Sequence, residues 1–200
     1  MPAPIDFYFD FSSPYGYFAS TRLDDLAARH GRDTVWRPIL LGPVFKAVGT
    51  SPLMSYPIKG QYVAHDFARF ARLLGVPFKV PPNFPFAALA ASRSFYWIDD
   101  RDKALAKTFA RAVFRAGLGD GGDVTPIEVV ADLAAKAGVD RTALLAALAE
   151  PRVKQRLVGE IDQAMQRGVF GSPMIVIDGE MFWGADRLDQ VERWLATGGW

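Results

Sequence analysis

Apolar and polar positions along the chain switch between two periods. Ile5 to Phe11 is a short aromatic and apolar run interrupted only by Asp6 and Asp10, which suits a buried strand. Pro14 stands where the first residue of a helix would. Tyr15, Ala19, Leu23, Leu26 and Ala27 then keep helical spacing until Gly31 stops it. Thr34 to Leu41 reads as a second strand, with Pro38 arguing for an edge or a bulge. From about Val63 to Arg167 nearly everything is helical. One stripe is Phe67, Phe70 and Leu74; another is Leu105, Phe109, Val113 and Ala116; a third is Val153, Leu157, Ile161 and Met165. Gly and Pro punctuate these stripes at 77–85 and 117–122, and Pro126 and Pro151 mark helix starts. The end of the chain returns to strands: Met174 to Ile177, a two-residue Asp178-Gly179 turn of type I′, and Glu180 to Trp183. A last helix runs from Asp186 to Leu195 with Leu188, Val191 and Leu195 on one face.

The order is therefore β-α-β, a block of helices, then β-β-α. A parallel β-α-β unit followed by an antiparallel hairpin and a packing helix is an α/β arrangement of the thioredoxin-like type, here carrying a helical insertion. The expected division gives residues 1–45 and 168–200 to the thioredoxin-like part. Residues 46–167 form the mostly helical insertion, whose last helix packs back on the sheet.

Composition narrows the chemistry. Of 200 residues, half are hydrophobic, and 23 basic against 22 acidic residues leave a net charge of +1. Such a balance gives no electrostatic footprint for nucleic acid, and no basic run suggests a membrane surface. The chain contains no cysteine, which excludes a protein dithiol, thiolate catalysis by the protein and Cys-ligated metals. His30 and His65 are its two histidines, too few for a histidine-rich metal site. The N-terminal MPAPIDFYFDF lacks the pattern of a secretory signal, and no 18-residue apolar window occurs. A cytoplasmic protein is expected.

Three segments could carry chemistry. The first is FDFSSPYGY at 9–17, a strand-to-helix junction with Ser12 and Ser13 where redox proteins of this architecture carry cysteines. A serine there can donate a hydrogen bond to a thiolate brought by a cofactor, or simply cap the helix; one hydroxyl can do either. The second is GVFGSPM at 168–174, where Pro173 is a candidate cis-proline and the Ser172 backbone could pair with an extended peptide. The third is WGADRLDQ at 183–190. Asp186 in such a place is commonly an N-cap, yet it could also hold an ammonium group while nearby N–H groups hold a carboxylate. Lys46, Lys59 and Arg93 could neutralise a substrate carboxylate or be solvated charges. Tyr15, Phe45 and Phe86 are among several aromatics that could wall an aromatic ligand or belong to the core.

Together these segments resemble the 2-hydroxychromene-2-carboxylate isomerase family, relatives of kappa-class glutathione transferases. The resemblance runs nearly end to end, through FYFDFSSPYGY, ILLGPVFKAVGTSP, YPIKGQYVAHDFARFARLLGVPF, NFPFAALAASR, GVFGSPM and DGEMFWGADRL. It implies a glutathione-binding enzyme, usually a homodimer, acting on a small aromatic acid. Ser13 matches the catalytic serine. Ser172 and Pro173 match the backbone site for the cysteinyl part, and Asp186 with Arg187 matches the pair holding the γ-glutamyl end. Lys46 and Thr50 lie in the segment flanking the cleft. The chain departs from the family pattern at Thr50 and Ala87, where Asn is common. It departs again at Ser172, where a larger apolar residue is common, and at Tyr15-Gly16 in place of Phe-Ser. The implied activity is reversible addition of the glutathione thiolate to a conjugated carbon. The chromene ring opens, a locked bond rotates, and trans-o-hydroxybenzylidenepyruvate is released. Two other readings remain: a kappa-like transferase or peroxidase acting on another electrophile, and a non-catalytic protein that binds glutathione or a peptide.

Overall fold

Residues Ile5–Phe9 form β1 at the heart of the molecule, with Ile5, Phe7 and Phe9 fully buried, in a computed structural model that describes residues 3–200. β2 (Thr34–Pro38) pairs with β1 in parallel, Ile5 opposite Thr34 and Phe9 opposite Pro38. β3 (Met174–Ile177) lies antiparallel on the other side of β1, and β4 (Glu180–Trp183) pairs with β3, giving the order β2-β1-β3-β4. Pro38 thus sits on an edge strand, where a missing N–H costs no ladder bond. The hairpin turn has positive φ at both Asp178 (52°) and Gly179 (96°), as type I′ demands. Arg32 grips the Asp178 carboxylate with two bonds of 2.9 and 3.0 Å.

Two elements differ from the sequence-based expectation. The helix expected from Tyr15 to Gly31 is two helices, α1 (Pro14–Ser20) and α2 (Leu23–Arg29). At the break the Ser20 and Thr21 hydroxyls bond back to the carbonyls of Tyr17 (2.6 Å) and Phe18 (2.8 Å), competing with the helical ladder. The strand expected to reach Leu41 ends at Pro38, and Leu41 opens helix α3 (Leu41–Val48). The Leu41 N–H is taken by the Asp10 carboxylate at 2.7 Å, which turns an apolar run into a helix start.

The helical block is α4 (Pro57–Leu74), α5 (Leu89–Asp99), α6 (Lys103–Phe114), α7 (Ile127–Lys136), α8 (Arg141–Ala149) and α9 (Pro151–Gln166). Asp102 and Asp140 cap α6 and α8 by accepting the Leu105 and Ala143 N–H groups. Pro126 precedes α7 as its cap residue rather than its first helical one, while Pro151 does open α9. The chain closes with α10 (Leu188–Thr197). Sheet and helices share one continuous core. Phe9 packs edge-on against Phe95 at 6.2 Å and tilted against Phe114 at 5.3 Å, and the Tyr96 hydroxyl bonds the Pro38 carbonyl at 2.8 Å. No helix among the described residues is long and apolar enough to cross a membrane.

Candidate active site

β1 delivers the chain to Asp10, whose side chain is almost wholly buried. One carboxylate oxygen accepts from both the Ser12 N–H and the Ser12 hydroxyl (2.8 Å each); the other accepts from Leu41 N–H. The Asp10 carbonyl takes the Ser13 N–H at 2.9 Å. Burial pushes the Asp10 carboxyl above its ordinary range, against the pull of those donors. A single aspartate therefore shapes the turn that presents Ser13.

Ser13 is extended (φ −88°, ψ 112°) and caps α1: its Oγ accepts the Gly16 N–H at 3.0 Å. The capping reading is thus correct for the free protein. The same hydroxyl donates to the Ser172 carbonyl at 3.1 Å. The Ser172–Pro173 peptide bond is cis. The Ser172 Oγ in turn accepts the Asp10 N–H at 2.9 Å. Asp10, Ser13 and Ser172 close a ring of hydrogen bonds between residues some 160 positions apart in sequence.

Backbone donors at the junction can be accounted for one by one. Ser12 and Ser13 give theirs to Asp10 and Gly16 gives its own to Ser13; Pro14 has none. That leaves the Tyr15 N–H as the first-turn donor without an intrahelical acceptor. α1 has only seven residues, so an anion placed here would meet the Tyr15 N–H and not a long helix dipole.

A Cβ added at Gly16 would lie 3.0 Å from Ser172 Oγ, 3.2 Å from Ser13 Cβ and 3.3 Å from Ser13 Oγ. Gly16 and Ser172 therefore face one another. The Pro173 carbonyl accepts the Gly184 N–H at 3.0 Å, which ties the cis-proline loop to a 3-10 turn at Ala185–Arg187. Asp186 does not cap α10. Its place is inside that turn, and the residue at the cap position is Arg187, without a side-chain cap bond. The Asp186 carboxylate is left exposed, paired with the exposed Arg187 at 3.3 Å.

Tyr15 is half-buried, its ring edge-on to Phe67 at 5.1 Å, and its hydroxyl donates to Asp66. Burial, then the Asp66 bond and charge, then weaker fields that include Asp186 hold its phenol well above the usual range. The turn that carries Asp186 packs against α1.

The remaining candidates lie on other elements. Phe45 and Lys46 are on α3, with Lys46 exposed; Thr50 follows it, exposed, its Oγ1 3.3 Å from the Tyr56 hydroxyl. Phe86 is 8% exposed and packs on Phe84. Arg93, on α5, has a buried Nε without a hydrogen-bond partner, and burial alone lowers its affinity for a proton. Hydrogen bonds unite Ser13, Ser172 and Asp10; none joins Phe86 or Arg93 to them.

Sequence reasoning passed over Asp10, reading it as an interruption in a strand. An aspartate closing an apolar run just before two serines was the available signal. It also missed Trp183, whose indole lies against Gly171 and edge-on to Phe170 at 4.9 Å, both aromatics exposed beside the Ser172 loop.

Comparison with known proteins agrees with this fold. The DSBA-like thioredoxin domain family matches residues 4–196. A 2-hydroxychromene-2-carboxylate isomerase of Sphingobium xenophagum is 32% identical, covering 98% of this chain and 99% of that protein. Human glutathione S-transferase kappa 1 is 25% identical over 98% of this chain and 94% of its own. A solved 2-hydroxychromene-2-carboxylate isomerase superposes with a TM-score of 0.88 at 31% identity, covering 96% of this chain and 94% of the other. The chain belongs to the DSBA-like thioredoxin domain family and, within it, to the 2-hydroxychromene-2-carboxylate isomerase family.

Proposed function

We propose that this protein is a glutathione-dependent isomerase of 2-hydroxychromene-2-carboxylate or a similar bicyclic aromatic acid. The observation that carries the reading is the Ser13 hydroxyl, held at a strand-to-helix junction against a cis-proline loop in a chain without cysteine. Where a dithiol enzyme has its own sulfur, this chain offers hydrogen bonds to a sulfur from elsewhere.

The residues present suit glutathione. Gly16 lets the Ser13 and Ser172 hydroxyls come close to α1, since a Cβ there would lie 3.3 and 3.0 Å from them. The Tyr15 N–H is a free donor beside it. The exposed Asp186 and Arg187 offer opposite charges to an amino-acid end that carries both an ammonium and a carboxylate. When bound, glutathione supplies a thiol that, as thiolate, adds reversibly to a conjugated carbon so that a locked bond can rotate. In this reading the Ser13 hydroxyl would turn its hydrogen bond from the Ser172 carbonyl to the sulfur, and as a donor to the thiolate it would lower the thiol's pKa. The Ser172 carbonyl, once released, accepts the N–H of the cysteinyl part. Lys46 and Thr50 flank the cleft. Tyr15, Phe45 and Phe86 contribute apolar walls, and Arg93, with no carboxylate partner, meets the substrate's carboxylate.

The test is turnover of the chromene carboxylate, followed by the absorbance of the open-chain keto acid, with and without glutathione. Turnover that requires glutathione is expected. Equal turnover without it would remove glutathione from the reading, and none under either condition would reject this substrate. A second reading, a transferase acting on another electrophile, has the likeness to human kappa 1 in its favour. It predicts conjugation of an aryl chloride by the same Ser13. The expected cytoplasmic location and homodimer belong to the same proposal.

A further inference from the structure

Ser13 is not the only hydroxyl that faces Gly16. The Ser172 Oγ lies 3.0 Å from the position a Gly16 Cβ would take, closer than the Ser13 Oγ at 3.3 Å. Their protons are differently disposed. The Ser13 proton is engaged by the Ser172 carbonyl, and its oxygen by the Gly16 N–H. The Ser172 oxygen is engaged too, by the Asp10 N–H, but its own proton meets no protein acceptor among the described residues. The Asp10 N–H fixes that oxygen in place at 2.9 Å, and Asp10 is itself fixed by the bonds of its carboxylate to Ser12 and Leu41. Any side chain at position 16 would need the space where the two hydroxyls converge.

We propose that the Ser172 side chain is a second catalytic hydroxyl, donating to the glutathione sulfur alongside Ser13. The proposal rests on the glutathione reading above and adds a role to a residue whose backbone alone was assigned there. Ionisation of the bound thiol then sends its proton to solvent while two O–H donors hold the thiolate. Each donor stabilises the charged form, so each lowers the thiol's pKa. Gly16 has a negative role: a Cβ there would crowd both hydroxyls, and its absence leaves them in place.

The experiment titrates bound glutathione by the ultraviolet absorbance of its thiolate, in wild type, Ser13→Ala, Ser172→Ala and Ser172→Thr, with affinity measured by calorimetry. Ser172→Ala should raise the titration midpoint by about one pH unit, a tenfold loss of thiolate at fixed pH. Glutathione affinity for the neutral thiol should change less than twofold, because the backbone of residue 172 is intact. Ser172→Thr keeps the hydroxyl and should restore the midpoint. A midpoint unmoved by Ser172→Ala, with Ser13→Ala still shifting it, overturns the proposal and leaves the glutathione reading standing. Equal shifts in Ser172→Ala and Ser172→Thr also overturn it, since packing rather than the hydroxyl would be responsible. Wild-type protein that binds no glutathione refutes both.

Discussion

Ser13 serves fold and chemistry with one oxygen, so its removal should be felt in both. Loss of the α1 cap in Ser13→Ala should cost about 1 kcal/mol of stability, read by urea unfolding. Loss of a hydrogen bond to a charged sulfur, worth roughly 1.5–3 kcal/mol, should lower glutathione-dependent kcat by about 10- to 100-fold. Asp10 is more strictly structural. In Asp10→Ala the Leu41 and Ser12 N–H groups lose their acceptor, and each buried donor left unpaired costs about 1–3 kcal/mol. The expected result is a fall in the unfolding midpoint larger than that of Ser13→Ala; equal or greater stability would contradict the role given to this carboxylate.

At the scale of elements, α2, β2 and α6 meet at Asp24. Its carboxylate accepts from the Thr34 hydroxyl and the Trp36 indole N–H (2.9 Å), and pairs with Lys107 (3.4 Å) and Arg111 (2.6 Å). Burial pushes its pKa up, but the Thr34 and Trp36 bonds and the two cations together hold it below the ordinary value. The folded state therefore binds this proton less readily than the unfolded chain. The resulting stabilisation is complete above the unfolded aspartate pKa of about 4 and is lost as pH falls through the lower folded value. Asp24→Asn should accordingly flatten the acid limb of a stability–pH curve between about pH 5 and 2. An unchanged slope would mean that other carboxylates dominate. The divided α1–α2 segment makes a related point: its apolar spacing continues through Thr21, and only the back-bonding hydroxyls of Ser20 and Thr21 reveal the break.

For the whole molecule, one face of α4 leaves Ile58, Tyr62 and Leu73 exposed, at 87, 61 and 76%. These positions share a helical face with the exposed His65 and Arg69 between them, and exposed apolar side chains of this size are what a second copy would cover. If the protein forms the homodimer proposed above through α4, Ile58→Glu combined with Leu73→Glu should move its elution from dimer to monomer while the chain stays folded, with a midpoint that no longer depends on protein concentration. A dimer that survives both changes would place the interface elsewhere.

Local pattern was enough for the elements that need no distant partner. The Asp178-Gly179 hairpin, the three helical stripes and the Pro14 helix start follow from backbone preference and side-chain period alone. The absence of cysteine ruled out protein dithiol chemistry, and the junction serines marked where a borrowed sulfur could sit. What those serines touch was beyond reach of any local rule. The bonds from Asp10 to Leu41, from Ser13 to Ser172 and from Asp10 to Ser172 join segments 31, 159 and 162 positions apart. Spacing along a chain carries no distance information over such separations. Only packing of β1 between β2 and β3 brings their ends together, and with them a buried carboxylate, a cis-proline loop and two hydroxyls around one missing side chain.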